Sequence, residues 1–210
     1  MSAADPERKG RLGRPPSVPN PREMILGHAA RLFAEQGFEA TSLMDLSVAA
    51  GLSKPAIYNY FASKQAVYDA VILETLTRLE GAGRAAIRPA DPPAVQLRAF
   101  MWAHADTFEA NYHGFVATLV GFSGMSQAFR REAMLLRDAH EQRLREIVAL
   151  GAGLGDFRDA DPDMVARAVL SMLNWMARWF RPGAGKSAGE VADDYCNLLL
   201  SGLQRRPFPQ

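Results

Sequence analysis

The 210-residue chain contains one cysteine, Cys196, and no apolar run as long as a membrane span. A lone cysteine excludes an intramolecular disulfide framework and is typical of a reducing compartment, where we expect it to be a small buried side chain. The first residues also lack the apolar segment of a secretory signal. We therefore expect a cytoplasmic protein with no membrane contact, and the 48% hydrophobic content is enough for a sizeable core.

Motifs that carry catalysis or metal binding are also missing. The four histidines are scattered, with neither an HExxH pattern nor paired cysteines beside them, and no phosphate-binding loop occurs. The glycines at 151, 153 and 155 follow no predicted strand and lack dinucleotide-binding spacing, so we interpret them as a loop that ends a helix. The sequence therefore predicts no metal and no cofactor. It disfavours an enzyme, and an all-α small-molecule enzyme is the weaker alternative.

The net charge is only +1, but it is unevenly distributed. The stretch from Arg8 to Arg22 contains five cations and no acid. We expect residues 1–20, which are rich in proline, glycine and cations, to form a disordered basic arm. Residues 11–15, Arg-Leu-Gly-Arg-Pro, partly resemble an AT-hook, whose arginines enter a narrow minor groove. Arg11 and Arg14 are therefore either minor-groove contacts or part of a solvated tail.

Residues 41–64 predict two short helices joined by a tight turn. Ser42 has Asp45 three positions later, which is the spacing of a helix-starting capping box. The first helix ends at a glycine, and the second begins at Lys54 and is expected to reach about Phe61. Two short helices around such a turn form a helix-turn-helix, in which the second helix enters the major groove of DNA.

The polar face of the second helix predicts the base contacts. Residues near the N-terminus of a recognition helix meet base edges, and here these are Lys54, Ala56, Tyr58 and Asn59. Lysine can reach guanine or phosphate, alanine can touch a thymine methyl, and tyrosine and asparagine can hydrogen-bond to bases or phosphates. The alternative is an ordinary three-helix unit in which these side chains are simply solvated.

Residues 30–64 resemble the DNA-binding domain of the TetR/AcrR transcriptional regulators, and the order L-F-A-E-x-G-F-x-A-T-S-L-x-D-L-x-x-A-A-G-L-S-K-P-A-I-Y-N-Y-F-x-S-K, at residues 32–64, carries most of this resemblance. The resemblance implies that the four side chains named above face the groove. It also implies that Thr41 and Ser42 meet phosphate at a helix start, that Tyr60 lies near the DNA backbone, and that Lys64 pairs with phosphate.

The remaining sequence predicts helices only, because no alternating strand pattern occurs. A first helix runs from Pro21 to Gly37, and a linking helix runs from Ser63 to about Leu79, with a loop at 82–93 where glycine and proline recur. Further helices are expected near 94–111, 113–123, 126–150, 161–181 and 188–204. The predicted fold is all-α: a disordered basic arm (1–20), a three-helix helix-turn-helix DNA-binding domain (21–66), and a helical ligand-binding and dimerisation domain (67–210).

The resemblance also implies a homodimer, since in this family the last two helices pair with their copies in a four-helix bundle. The apolar surface could come from Met164, Ala168, Met172, Leu198, Leu199 and Leu203, although core packing within one chain is an equally good use of them. A symmetric dimer places two recognition helices about 34–36 Å apart, which suits a palindromic double-stranded operator.

A ligand pocket is expected between helices of the second domain. Its candidates are Phe100, Trp102, His104, Phe108, Tyr112, Phe115, Phe122, Met125 and Trp175, for each of which a core role is the simpler alternative. A ligand that prefers the state with wider spacing shifts the population off DNA.

The segment N-W-M-A-R-W-F-R-P-G at 174–183 resembles the C-terminal part of TetR-type regulators of lipid and aromatic-acid catabolism that sense acyl-CoA thioesters. Two roles are open to Trp175, Arg178 and Trp179 of this segment. They either stack a purine and meet a phosphate, or they brace the dimer. We therefore predict a repressor released from its operator by a small apolar effector, with acyl-CoA as the candidate, and a DNA-binding dimer without ligand as the alternative. The predicted ligand set is Trp102, Phe108, Tyr112, Phe122, Trp175, Arg178 and Trp179.

Overall fold

The computed structural model describes residues 20–121 and 124–203, and over these residues it contains helices and no β-strand, which confirms the all-α fold. Arg11, Arg14 and Phe122, together with nearly all of the predicted basic arm, lie outside the described residues. The helices are α1 (Pro21–Gln36), α2 (Leu43–Ala50), α3 (Lys54–Tyr58), α4 (Lys64–Ala86), α5 (Pro93–Ala110), α6 (Tyr112–Gly121), α7 (Gln127–Leu154), α8 (Pro162–Trp179) and α9 (Ala188–Leu203).

The helix-turn-helix, α2 and α3, follows the start and stop signals of the sequence, with one correction. The Ser42 and Asp45 capping box is formed, and Gly51 ends α2 in the left-handed conformation at φ +64°. The recognition helix α3 ends at Tyr58 and not near Phe61. The amides of the two residues after Asn59 both donate to the Ile57 carbonyl, and this tight turn directs the Phe61 ring into the core.

The linking helix α4 is longer than predicted, because two glycines taken as helix breakers lie inside it. At Gly83 a Cβ atom would lie only 2.9 Å from the His140 ring and 3.1 Å from the Phe100 ring. This glycine therefore lets α5 and α7 approach α4 closely, and helix packing outweighs its low helix propensity.

The glycines near residue 151 required a similar correction. Gly151 and Gly153 lie within α7, and only Gly155, at φ +78°, ends the helix. Gly151 is covered by the Phe157 ring, which lies where a Cβ would stand. The chain after α7 therefore folds back over its own last turns.

Two apolar cores are organised around α4. Val67, Val71 and Ile72 belong to a core with α1, α2 and α3, to which α6 and α7 also contribute, whereas Leu79 belongs to a core built mainly from α5 to α9. The predicted domain boundary at residue 66 thus falls within a continuous helix that contributes to both cores. Cys196 is fully buried in the second core, as expected.

Candidate DNA-binding surface and effector cavity

The recognition helix α3 is anchored by its inward face. Ile57 is completely buried, while Lys54, Tyr58 and Asn59 are exposed and Ala56 is half-buried. Ser53 caps the helix by accepting the Ala56 amide at 3.3 Å. The side chains predicted to meet bases therefore lie on a common outward surface, with the exposed Tyr60 beyond the helix end.

The start of α2 is built around a carboxylate. Asp45 accepts hydrogen bonds from the Ser42 hydroxyl at 2.7 Å and the Ser42 amide at 2.8 Å, and these bonds lower the pKa of Asp45. Ser42 is exposed, but its hydroxyl already serves this box. Any phosphate near this helix start also meets the Asp45 charge.

Two other predicted phosphate contacts have internal partners. Thr41 is buried and donates its hydroxyl to the Gly37 carbonyl at 2.8 Å, so this side chain does not face the surface as a phosphate contact requires. The Lys64 Nζ donates to the Phe38 carbonyl at 2.8 Å and lies over the Phe38 ring at 4.2 Å. Lys64 therefore holds the turn before α2, and its phosphate contact stays a prediction.

A cavity of about 140 Å³ lies where α4, α5, α6, α7 and α8 converge. Its apolar lining is Leu76, Leu79, Phe115, Leu119, Leu136 and Leu170. Leu119 and Arg137 are exposed, so the cavity opens to the surface beside them. Its polar lining is Thr75, His104, Thr118, Arg137, His140, Glu141 and Asn174.

A pair of buried histidines, His104 and His140, lies in the cavity wall; we call it the histidine pair. The Nδ1 atom of His104 and the Nε2 atom of His140 are 3.1 Å apart. Burial lowers the pKa of His104 well below its usual range and lowers the pKa of His140 to about 4, an effect that the nearby Glu80 opposes and Arg143 reinforces. The pair is therefore uncharged at neutral pH.

None of the six predicted ligand residues that the structure describes lines this cavity. Phe108 is fully buried in the core, and the Tyr112 hydroxyl lies 3.2 Å from the Arg181 guanidinium. Trp102 covers Gly189 of α9 and donates its indole N–H to Asp193, which lowers the pKa of that carboxyl. Of the wider candidate set, His104 and Phe115 do line the cavity.

Trp175, Arg178 and Trp179 lie on an exposed face of α8. Trp175 is 64% exposed, and the Arg178 guanidinium lies 5.9 Å from its ring centroid. Met164 of α8 and Leu198 of α9 are also strongly exposed, whereas Leu203 belongs to the core. The predicted dimer surface is thus divided between an outward face of α8 and α9 and the packing within one chain.

Several cavity residues were absent from the predicted ligand set. Thr75, Thr118, His140 and Asn174 come from four different helices and have no shared sequence spacing. His140 was recognised only as one of four scattered histidines, because its partner lies 36 positions earlier.

One polar contact joins α4 to the start of α7. Asp69 of α4 is buried and accepts hydrogen bonds from the Ser126 amide at 3.0 Å and the Ser126 hydroxyl at 2.6 Å. Gln65 donates to the same carboxylate at 2.9 Å. The helix that follows the recognition helix is therefore fastened to the wall of the cavity.

These features are those of a helical DNA-binding protein with a second helical domain. No helix within 20–121 or 124–203 has the length and apolarity of a membrane span, and in that part no three His, Cys, Asp or Glu side chains are grouped as a metal site would need. Residues 25–71 match the family model of bacterial regulatory proteins of the tetR family, and residues 90–203 match the tetracyclin repressor-like C-terminal domain. The chain belongs to the TetR family of DNA-binding transcriptional regulators, which confirms the resemblance.

Named relatives support this membership over most of the chain. The transcriptional repressor KstR2 of Rhodococcus jostii is 31% identical over 186 residues, covering 87% of this chain and 90% of the repressor. The crystal structure of PfmR, a TetR family regulator from Thermus thermophilus, is 49% identical with a TM-score of 0.81, covering 86% of this chain and 99% of PfmR. The ketosteroid transcriptional regulator KstR2 of Mycobacterium tuberculosis has a TM-score of 0.84 at 26% identity, covering 90% and 98% of the two chains. Regulators of this family bind operator DNA as dimers.

Proposed function

We propose that this protein is a cytoplasmic repressor that binds a palindromic operator as a homodimer and leaves it when a small effector enters the cavity. The observation that carries the proposal is the outward face of α3, held in place by the buried Ile57. Lys54, Tyr58 and Asn59 are exposed on that face. The major groove of B-DNA is wide enough to admit one α-helix, so these side chains can reach base edges. Within residues 20–121 and 124–203, the side chains of Lys54, Tyr58 and Asn59 form no hydrogen bond of the kind that the Thr41 hydroxyl makes with the Gly37 carbonyl.

The exposed face of α8 and α9 supports the dimer. Met164, Trp175, Trp179 and Leu198 are all large, apolar and 46–71% exposed. Exposed apolar side chains that lie together mark interaction surfaces. A second copy of the same face would bury them, so we assign Trp175, Arg178 and Trp179 to bracing the dimer and not to the ligand.

The position of α4 supports coupling between effector and operator. Thr75, Leu76 and Leu79 of α4 line the cavity, and Val67 and Val71 of the same helix pack in the core of the DNA-binding domain. An effector that displaces α4 therefore moves the recognition helices relative to each other. The coupling is reciprocal, so operator DNA must weaken effector binding by the same factor.

An acyl-CoA thioester remains the candidate effector. An apolar cavity of about 150 Å³ is known to hold a benzene ring, so this one has room for a short acyl chain or a single ring but not for the carrier. The carrier would remain outside the mouth, beside Arg137 and Glu141. A regulator without an effector has no need of such a cavity, which favours sensing over the alternative of a ligand-free dimer.

The recognition surface can be tested with DNA selected from a random-sequence library by the wild-type protein. Asn59→Ala is expected to lower the preference for the selected sequence over scrambled DNA about tenfold, because a bidentate base contact contributes roughly 1–3 kcal/mol. Lys54→Ala is expected to weaken binding, and if its partner is phosphate the salt slope falls by up to about one unit. Arg84→Ala, which changes an exposed cation near the far end of α4, is the matched control. An unchanged sequence preference in Asn59→Ala would contradict the assignment of this surface.

A further inference from the structure

A polar atom of a residue in the cavity wall has no hydrogen-bond partner among the described residues. The Nε2 atom of His104 is buried, and no hydrogen bond to it is formed. The hydroxyls of Thr75 and Thr118, which also line the cavity, already donate to backbone carbonyls of their own helices at 2.8 Å. An unpaired buried nitrogen is costly to folding, and buried polar groups of this kind are frequently functional.

The second outer nitrogen of the histidine pair faces elsewhere. His140 Nδ1 lies against α4, 3.0 Å from the position that a Cβ on Gly83 would take. The ring of His140 also packs against Phe100, with centroids 4.5 Å apart. The atom of the pair that remains for a ligand is therefore Nε2 of His104.

The pair can present either a donor or an acceptor to that ligand. If His104 Nδ1 donates to His140, the outer His104 Nε2 is a bare acceptor; if His140 Nε2 donates to His104, the outer Nε2 carries the hydrogen. A ligand carbonyl selects the second arrangement, and a hydroxyl fits either. A hydrocarbon satisfies neither, and a carboxylate would be buried beside an uncharged pair.

Taking the cavity as the effector site proposed above, we propose that the histidine pair recognises an uncharged carbonyl or hydroxyl oxygen through Nε2 of His104. The part of the effector that enters is a ring or short chain of about six or seven heavy atoms, since cavities of this volume hold a benzene ring. The carbonyl of an acyl thioester belongs to this class of group. A free carboxylate and a plain hydrocarbon are excluded.

Phenol and toluene are suitable probes, because they have the same shape and differ in one hydroxyl. Isothermal titration calorimetry of the full-length protein with each probe is expected to show that phenol binds about threefold to tenfold more tightly than toluene. This difference is the gain from one neutral hydrogen bond. Nitrogen NMR of ¹⁵N-histidine-labelled protein should show the His104 Nε2 resonance moving with phenol and not with toluene. A purely structural histidine would show neither effect.

Variants of His104 separate recognition from folding. His104→Leu is expected to abolish the phenol preference, and His104→Gln, which keeps an amide near the Nε2 position, to retain part of it. Because the single leucine variant leaves His140 unpaired, the double variant His104→Leu/His140→Leu provides a second measurement in which both polar groups are removed. Circular dichroism checks that each variant is folded.

Equal binding of phenol and toluene to the wild-type protein, or an undiminished phenol preference in the double variant, would overturn the assignment to the histidine pair. Failure of both probes to bind at millimolar concentration would overturn it as well, because the cavity would then not accept a group of this size. Operator binding measured on the same wild-type sample without probe separates these results from the proposed function. Binding of the operator with no phenol preference refutes the histidine assignment alone.

Discussion

The contact between Asp69 and Ser126 makes a quantitative prediction about how α4 and α7 are joined. Asp69 is 3% exposed, and its carboxylate accepts three hydrogen bonds, two from Ser126 and one from Gln65. Each hydrogen bond to a charged group contributes about 1.5–3 kcal/mol, and burial of the carboxylate offsets part of that sum. We expect Asp69→Ala to lower the free energy of unfolding by about 3 kcal/mol.

Two milder variants provide the scale for this experiment. Asp69→Asn keeps an acceptor for the Ser126 amide, and Ser126→Ala removes only the hydroxyl bond, so each is expected to cost about 1 kcal/mol. Urea unfolding followed by circular dichroism measures all three at one protein concentration, because the stability of a dimer depends on concentration. A loss of less than about 0.5 kcal/mol in Asp69→Ala, with an unchanged m value, would refute the reasoning.

Three further predictions concern caps, packing and pH. Ser42→Ala removes the capping box and is expected to lower the free energy of unfolding by about 1 kcal/mol in urea, while Ser42→Thr keeps most of it. Gly189→Ala places a Cβ 2.4 Å from the Trp102 ring, so a cost of about 1–3 kcal/mol is expected, whereas Gly202→Ala, with open space around it, should not destabilise in the same assay. The pKa of His140 falls from 6.5 to about 4 on folding, so the unfolded chain binds more protons than the folded chain between these pH values. The stability present above pH 6.5 is therefore expected to be lost as the pH falls toward 4, by about 3 kcal/mol. Urea unfolding at each pH measures this loss, and replacing both residues of the histidine pair by leucine should flatten the pH dependence.

Local chemistry predicted the DNA-binding part well, because its signals act within a few residues. The Ser42 box and the left-handed Gly51 set the ends of α2 by contacts three to five positions apart. The end of α3 was wrong because the turn after Asn59 depends on burying Phe61, which requires the surrounding core. The contacts of individual side chains with DNA stay predictions.

The C-terminal part was predicted less well, because its contacts join distant helices. Gly83 was taken as a breaker, yet it is needed for the close approach of α4 to His140 and Phe100. Trp102 is an aromatic residue of the type that commonly lines ligand pockets, but the packing of α5 against α9 turns it toward Asp193. Which face of α5 meets which neighbour is a property of the assembled fold, and no spacing rule along one helix contains it.

The central claim is that one chain both reads an operator and senses a ligand in its own cavity. Fluorescence anisotropy of a labelled duplex from the upstream region of its own gene, titrated with the purified protein with and without acyl-CoA thioesters of increasing chain length, tests this most directly. We expect saturation at two protomers per palindromic site and release by short acyl chains that fit the cavity. Binding that does not distinguish this duplex from scrambled DNA would contradict it.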